Sequence, residues 1–433
     1  MGEPTKQIFA LVDVNNMYVS CERAFNPRLR DRPVVVLSNN DGCAVARSNE
    51  VKALGVPMGA PWFQMRELAR QHGIVGLSSN YTLYADMSNR IMAILRTYSP
   101  NVEVYSIDES FLSLNGLGGL WSSPTAMGQD IRAKVAQWTS LPVCVGVGQS
   151  KTLAKLANHV AKKFPLFDSV ADFTNMSEAR TAWLFQRIDI GEVWGVGRRI
   201  GAKLRTMGIT TVQGLKDAPP STMRAHFGVV LERTCNELRG ISCLELEEVA
   251  PPRKEIVSSR SFGSMVMTAD ELGESISTYA ARAGEKLRGQ RSLCGAVHVF
   301  VQTNRFREKD EQYSNGITIP LVEPSADNRI LAGAALHGLA MIFRDGFKYK
   351  KAGIMLMDLQ SDTQRQAVLF DAVPDRARSV RAMTALDAIN ERFGRDTVHL
   401  GSAGLVRRWA MLSENRTPRY TTNWMELPKV RAQ

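Results

Sequence analysis

Near its start the chain carries five consecutive apolar residues, Ile8 to Val12, that end in a carboxylate, Asp13. No other stretch constrains the fold as much, because a short unbroken apolar run reads as a buried strand with its acid at or near the strand end. A second segment, "VEVYSIDESFLSL" from Val102 to Leu114, has two strand-like halves around Asp108 and Glu109. Alone, that acidic pair would read as the solvated turn of a β-hairpin. With Asp13 delivered by another strand, three carboxylates can meet. Crowded carboxylates repel and favour protonation, so a site that keeps them ionised holds a cation, and hard oxygen ligands point to Mg²⁺. Two such ions form the clamp of phosphoryl-transfer chemistry.

The rest of the chain reads as several domains, for which 433 residues at 44% hydrophobic content suffice. A buried strand at Val34 to Leu37 leads through the turn-forming "SNNDG" to a second short strand and a helix-like stretch, a small inserted α/β unit. Apolar residues at helical spacing predict a helix from Tyr81 to Tyr98 that runs into the acidic hairpin. A helix over 125–138, the strand "PVCVGVG" and a helix over 150–163 complete a mixed sheet covered by helices. In "VWGVGRRIGAKL" a Gly-Val-Gly turn feeds a helix; it fits either an ordinary helical hairpin or a helix start open to a phosphate, and Arg198, Arg199 and Lys203 favour a nucleic-acid backbone.

"APPRKE" at 250–255 reads as a linker, and beyond it comes a split β-α-β-β-α-β pattern: strand 255–264, helix 270–289, strands "CGAVHVFVQT" and "NGITIPL", helix 327–343, strand "YKKAGIMLMDL". Beyond about 361 the chain turns polar, with one apolar island, "QAVLF" at 366–370. The six cysteines and six histidines show no CxxC or HExxH spacing, so neither a zinc site nor a disulfide framework is signalled. The net charge of +11 points only weakly to an anionic partner. No signal peptide and no apolar run of about 18 residues is present, so a cytoplasmic protein is expected.

Several segments together, "VDVNNMYVSCE", "SNNDGCAVARSNEVKALGV", "SSNYTLYADMSNR", "VYSIDESFLSL", "VGVGQSKTLAKLANHVAKK", "VWGVGRRI", "SRSFG" and the terminal "SENRTPRYTTN", resemble in order and spacing the Y-family translesion DNA polymerases, most closely their UmuC-like branch. The resemblance runs over nearly the whole chain. It implies a multidomain α/β (α+β) right-hand polymerase: palm (1–25 and 77–174), small fingers (26–76), helix-hairpin-helix thumb (175–249), β-α-β-β-α-β little finger (250–360) and a C-terminal clamp- and partner-binding region (361–433). The activity implied is error-prone, template-directed DNA synthesis in the bacterial SOS response, by two-metal-ion nucleotidyl transfer and without proofreading.

The same resemblance implies roles for residues. Asp13, Asp108, Glu109 and the backbone carbonyl of Val14 would hold two Mg²⁺ ions; Tyr18 would be an aromatic steric gate beneath the sugar, beside Asn16 and Met17; Lys52 and Lys162 would reach the triphosphate. Asn49 stands where many members have a tyrosine, although an amide still donates. Gly195, Gly197 and Arg198 would meet DNA, and Gln366, Leu369 and Phe370 would plug into the β sliding clamp, with Ala367 in place of the usual leucine. The island could instead fold back on its own domain. Implied partners are primer-template DNA, dNTP, a processed UmuD-type dimer, a RecA filament and the clamp. Two other readings compete: a palm-type nucleotidyl cyclase, which needs no DNA-gripping domain or clamp motif, and a catalytically silent DNA-binding scaffold, which would be expected to have lost the acidic triad or the lysines.

Overall fold

In the computed structural model, which describes residues 7–117, 119–247, 251–363 and 376–427, the apolar run near the start forms β1 (Phe9–Val14), buried at every position. The chain then reverses through Asn16, held at a left-handed φ of 48°, into α1 (Met17–Phe25). Next, β2 (Val34–Leu37), β3 (Ala44–Arg47), α2 (Asn49–Ala53), α3 (Trp62–His72) and β4 (Val75–Ser78) make a small sheet of order β3-β2-β4, with β2 and β4 parallel. Asn80 caps α4 (Tyr81–Leu95) through its side-chain oxygen. After α4 come β5 (Val102–Val104), β6 (Glu109–Ser113), α5 (Pro124–Thr139), β7 (Val143–Gly148), α6 (Lys151–Lys163) and β8 (Val170–Asp172).

The resulting sheet has the order β5-β6-β1-β7-β8, so the most apolar strand is central and the acidic hairpin is its neighbour. Helix α6 lies close on β7, where Gly146 and Gly148 leave room for its backbone: a methyl group on Gly146 would stand 2.1 Å from the amide nitrogen of Asn158. Five helices follow, α7 (Glu178–Phe185), α8 (Arg198–Thr206), α9 (Val212–Asp217), α10 (Pro220–Phe227) and α11 (Val229–Leu238). They enclose a core of Leu204, Val212, Leu215, Leu231 and Cys235.

A second compact unit spans Asn39–Gly42 and Pro251–Glu414, while the described residues of Met1–Ser38, Cys43–Ala250 and Asn415–Gln433 form the first. In the second, β9 (Ile256–Val266), α12 (Ala269–Gly289), β10 (Ser292–Thr303), β11 (Ser314–Ser325), α13 (Asn328–Ile342) and β12 (Tyr349–Ser361) realise the expected split pattern as an antiparallel sheet of order β11-β10-β12-β9. The helices cover one face, burying Ile276, Tyr279, Leu287 and Leu339.

Helix α14 (Arg376–Phe393) was not expected in the polar tail. It docks on the second unit mostly through polar contacts: Arg288 makes a two-pronged pair with Asp387 at 2.6 and 2.7 Å, and Ser379 donates to Asp327. Such contacts leave no apolar stripe to read. Trp409 then enters the core between Phe262 and Tyr279. The residues expected as one C-terminal region, 361–433, are thus divided between the two units. All six cysteines are free thiols. Among the described residues no helix is long and apolar enough to cross a membrane.

Candidate active site

Strand register brings the acids together. Asp13 stands directly across from Glu109 in the β1/β6 pairing, and the amide of Val14 donates to the carbonyl of Asp108 at 2.9 Å. The turn before β6 is tied by one hydroxyl: Ser106 Oγ donates to Asp108 Oδ1 at 2.6 Å and accepts from the amide of Glu109 at 2.9 Å. Burial dominates the chemistry of Asp13, which is only 7% exposed, and raises its pKa. Lys162 pulls it down and Glu109 pushes it up again, with the balance at about 7.

Two ammonium groups from one face of α6 meet the acids. Lys162 Nζ lies 2.6 Å from Asp13 Oδ2, and Lys155 Nζ lies 2.9 and 2.7 Å from the two oxygens of Glu109. Among the described residues no three His, Cys, Asp or Glu side chains are gathered tightly enough to clasp an ion as they stand. The donor set itself, three carboxylates and a main-chain carbonyl at adjoining strand ends, is the hard-oxygen chemistry that suits Mg²⁺.

Beside the acids is a cavity of about 210 Å³ lined by Asn16, Asn49, Lys52 and Lys162. Lys52 Nζ donates to Asn16 Oδ1 at 2.5 Å, and the Asn16 amide donates to Asn49 Oδ1 at 3.0 Å. Burial lowers the pKa of Lys52, and the nearby charges of Arg47 and Lys162 lower it further. An incoming polyanion would relieve that repulsion. Tyr18, the second residue of α1, stacks on Tyr84 at 4.4 Å and meets Tyr81 edge-on at 5.9 Å. Met17 is 3% exposed and packs in the core, so its side chain is not available to a ligand.

The structure therefore gathers Asp13, Val14, Asp108, Glu109, Asn16, Lys52, Lys162 and Tyr18 in one region. Gly195, Gly197 and Arg198 lie instead at the start of α8, where Gly195 has a φ of 87° that favours glycine and Gly197 is the residue before the helix. A methyl group at either glycine would meet nothing within 4 Å, and Arg198 is exposed. Gln366, Leu369 and Phe370 lie outside the described residues. Sequence reasoning passed over Ser106, Lys155, Tyr81 and Tyr84. Only Lys155 left a usable signal, its seven-residue spacing from Lys162 on one helix face.

Comparisons with known proteins bear on the family and the fold. Residues 12–159 match the impB/mucB/samB family, and 253–369 match the C-terminal domain of that family. Residues 381–430 match a model described as a domain of unknown function. Protein UmuC of Salmonella typhimurium is 47% identical over 425 residues, covering 98% of this chain and all of the relative. Protein SamB of the same organism is 44% identical over 98% of this chain and 100% of its own. DNA polymerase IV 2 of Bacillus subtilis is 27% identical over 93% of this chain and 95% of its own. A solved Y-family DNA polymerase chimera superposes with a TM-score of 0.62, covering 82% of this chain and 99% of its own; at 19% identity it speaks for the fold.

Proposed function

This chain belongs to the impB/mucB/samB family as a UmuC-like Y-family DNA polymerase, and we propose that it extends primers across damaged template bases as the catalytic subunit of an SOS-induced translesion enzyme. The observation that carries the chemistry is the register of Asp13 against Glu109, with Asp108 one residue outside the strand. These three side chains and the Val14 carbonyl are the proposed ligands of two Mg²⁺ ions. When bound, such ions lower the pKa of the primer 3′-hydroxyl and neutralise charge on the transferring phosphate.

The chain's own residues do the rest. Lys52 grips phosphate oxygens in the cavity it shares with Lys162. Lys162, on a side chain 37% exposed, exchanges its carboxylate partner for phosphate as the triphosphate enters. Tyr18 presents its ring beneath the sugar, where a ribose 2′-hydroxyl would collide. Gly195, Gly197 and Arg198 offer backbone amides and a guanidinium to DNA phosphates. The segment proposed as fingers has helices of only 5 and 11 residues, too little to enclose the nascent pair, which favours tolerance of distorted templates at the expense of fidelity. Residues 366–370 are the proposed clamp plug. A UmuD-type dimer and a RecA filament are the proposed partners, in the cytoplasm.

Single-nucleotide insertion by Asp108→Ala tests the metal site. Removing one ligand is expected to lower the rate by roughly 10³, equivalent to about 4 kcal/mol of lost charge stabilisation. Insertion within tenfold of the parent would sink the assignment. Extension on undamaged and abasic templates, with and without the proposed partners, then tests lesion bypass.

A further inference from the structure

Nothing in the chemistry above uses the last described residues, 415–427, yet they lie on the elements that carry the steric gate. Asn415 exchanges two hydrogen bonds with Ser78 of β4, its amide donating to Ser78 Oγ at 3.0 Å and its carbonyl accepting from the Ser78 amide at 3.1 Å. Two residues on, Asn80 Nδ2 donates to the carbonyl of Thr417 at 3.1 Å, to Thr417 Oγ1 at 3.0 Å and to the carbonyl of Pro418 at 3.0 Å. With its lone pair so engaged, the Thr417 hydroxyl turns its proton to Glu22 Oε1 at 3.1 Å. Tyr420 stacks face to face on Phe25 at 4.9 Å, fastening the strap near the end of α1.

Glu22 joins the strap to the gate. It is fully buried, its Oε1 also accepts from the Tyr84 hydroxyl at 2.7 Å, and its Oε2 is buried without a partner. Burial pushes its carboxyl above the usual range. A buried, half-satisfied carboxyl group is costly, so its position has to be enforced by what surrounds it. Tyr84 is itself fully buried, and its ring is the face on which Tyr18 stacks. Contacts therefore run without a gap from Thr417 through Glu22 and Tyr84 to Tyr18.

We propose that the C-terminal strap is a positioning element for sugar selection: Thr417 fixes Glu22 and Tyr84, and Tyr84 holds the Tyr18 ring at the height that rejects ribonucleotides. This rests on the reading of Tyr18 as the gate. Sterical exclusion of one hydroxyl depends on ring placement to a fraction of an ångström, whereas deoxynucleotide insertion tolerates a small drop of the ring. Loosening the strap thus lowers discrimination more than it lowers activity. Thr417, Glu22 and Tyr84 touch no substrate and act only through Tyr18.

The test compares kcat/KM for dNTP and for the matching rNTP on one primer-template, using the full chain with its proposed partners. Tyr18→Ala calibrates the assay by removing the gate. Thr417→Val, which keeps the shape and loses the hydroxyl, is expected to reduce discrimination about tenfold while dNTP insertion stays within about threefold, a shift that general destabilisation would not give because it lowers both rates together. Thr417→Ser restores the hydroxyl and with it the parent ratio. A chain ending at Glu414 should discriminate no better than Thr417→Val. If Tyr18→Ala relaxes discrimination but Thr417→Val, melting like the parent, stays within twofold of it, the strap inference is overturned. If Tyr18→Ala itself leaves discrimination unchanged, the gate reading fails and takes the inference with it.

Discussion

Replacing Gly146 by alanine probes how tightly the lysine-bearing helix must sit on the sheet. Gly146 is in β7, opposite Leu11 of β1. A methyl group there would lie 2.1 Å from the amide nitrogen of Asn158, 2.3 Å from the carbonyl oxygen of Ala154 and 2.7 Å from the Cα of Asn158, where ordinary contact begins at 3.4 Å. All three are main-chain atoms inside α6, so no side-chain rotation relieves the clash, and the helix has to retreat by about 1.3 Å. It is pinned where it is, because the Asn158 side chain donates to the carbonyl of Cys144 at 2.8 Å and of Leu11 at 3.3 Å. Retreat stretches the 2.6 Å contact of Lys162 with Asp13 and the 2.7 Å contact of Lys155 with Glu109. Overpacking costs about 1–3 kcal/mol in general, and a rigid backbone neighbour puts this case near the upper end. At roughly 2–4 °C per kcal/mol, the first unit should melt about 6–12 °C lower. A misplacement of about 1 Å in the site should lower single-nucleotide insertion by roughly 10². Thermal unfolding and an insertion assay check both effects. A variant that melts within about 2 °C of the parent and inserts within threefold of it would refute the claim that close seating of α6 sets the site.

In the second unit, burial raises the pKa of Asp327, but its bonds to Arg329 and Ser379 outweigh that and hold it below the usual carboxylate range. Its ionised form therefore contributes stability that is complete above the unfolded value of about 3.9 and is lost as pH falls through the lower folded value. Asp327→Asn should be less stable than the parent at pH 7, with the gap closing on acidification; a gap that is constant from neutral to strongly acid pH in denaturant titrations would contradict this. For the clamp plug, Leu369→Ala combined with Phe370→Ala removes two apolar anchors worth about 1.5–3 kcal/mol each, enough to decide a micromolar association. Clamp-stimulated synthesis should disappear while insertion on a short primer persists, and equal loss of both activities would mean that the pentapeptide belongs to the fold.

Much of the architecture was legible because it is written in short-range periodicity. The unbroken run Ile8 to Val12 had to be an interior strand, and β1 is central in its sheet. Alternation and helical spacing gave the six elements beyond residue 255 in their observed order, since each buries a face of its own. The acids Asp13, Asp108 and Glu109 could be placed at strand ends for the same reason. Tertiary structure alone decided which atoms meet across the chain. The Asp13 to Glu109 register depends on how β1 and β6 slide past each other, and the pairing of Lys155 with Glu109 depends on two glycines that let α6 approach. Helix α14 and the strap left no periodic signal in the sequence because they are held by a few single contacts over long separations, Arg288 with Asp387, Asn80 with Thr417 and Tyr420 with Phe25. Burying an apolar face requires many residues at a fixed period and so marks the sequence, whereas a single hydrogen bond requires one donor and one acceptor and leaves no period at all.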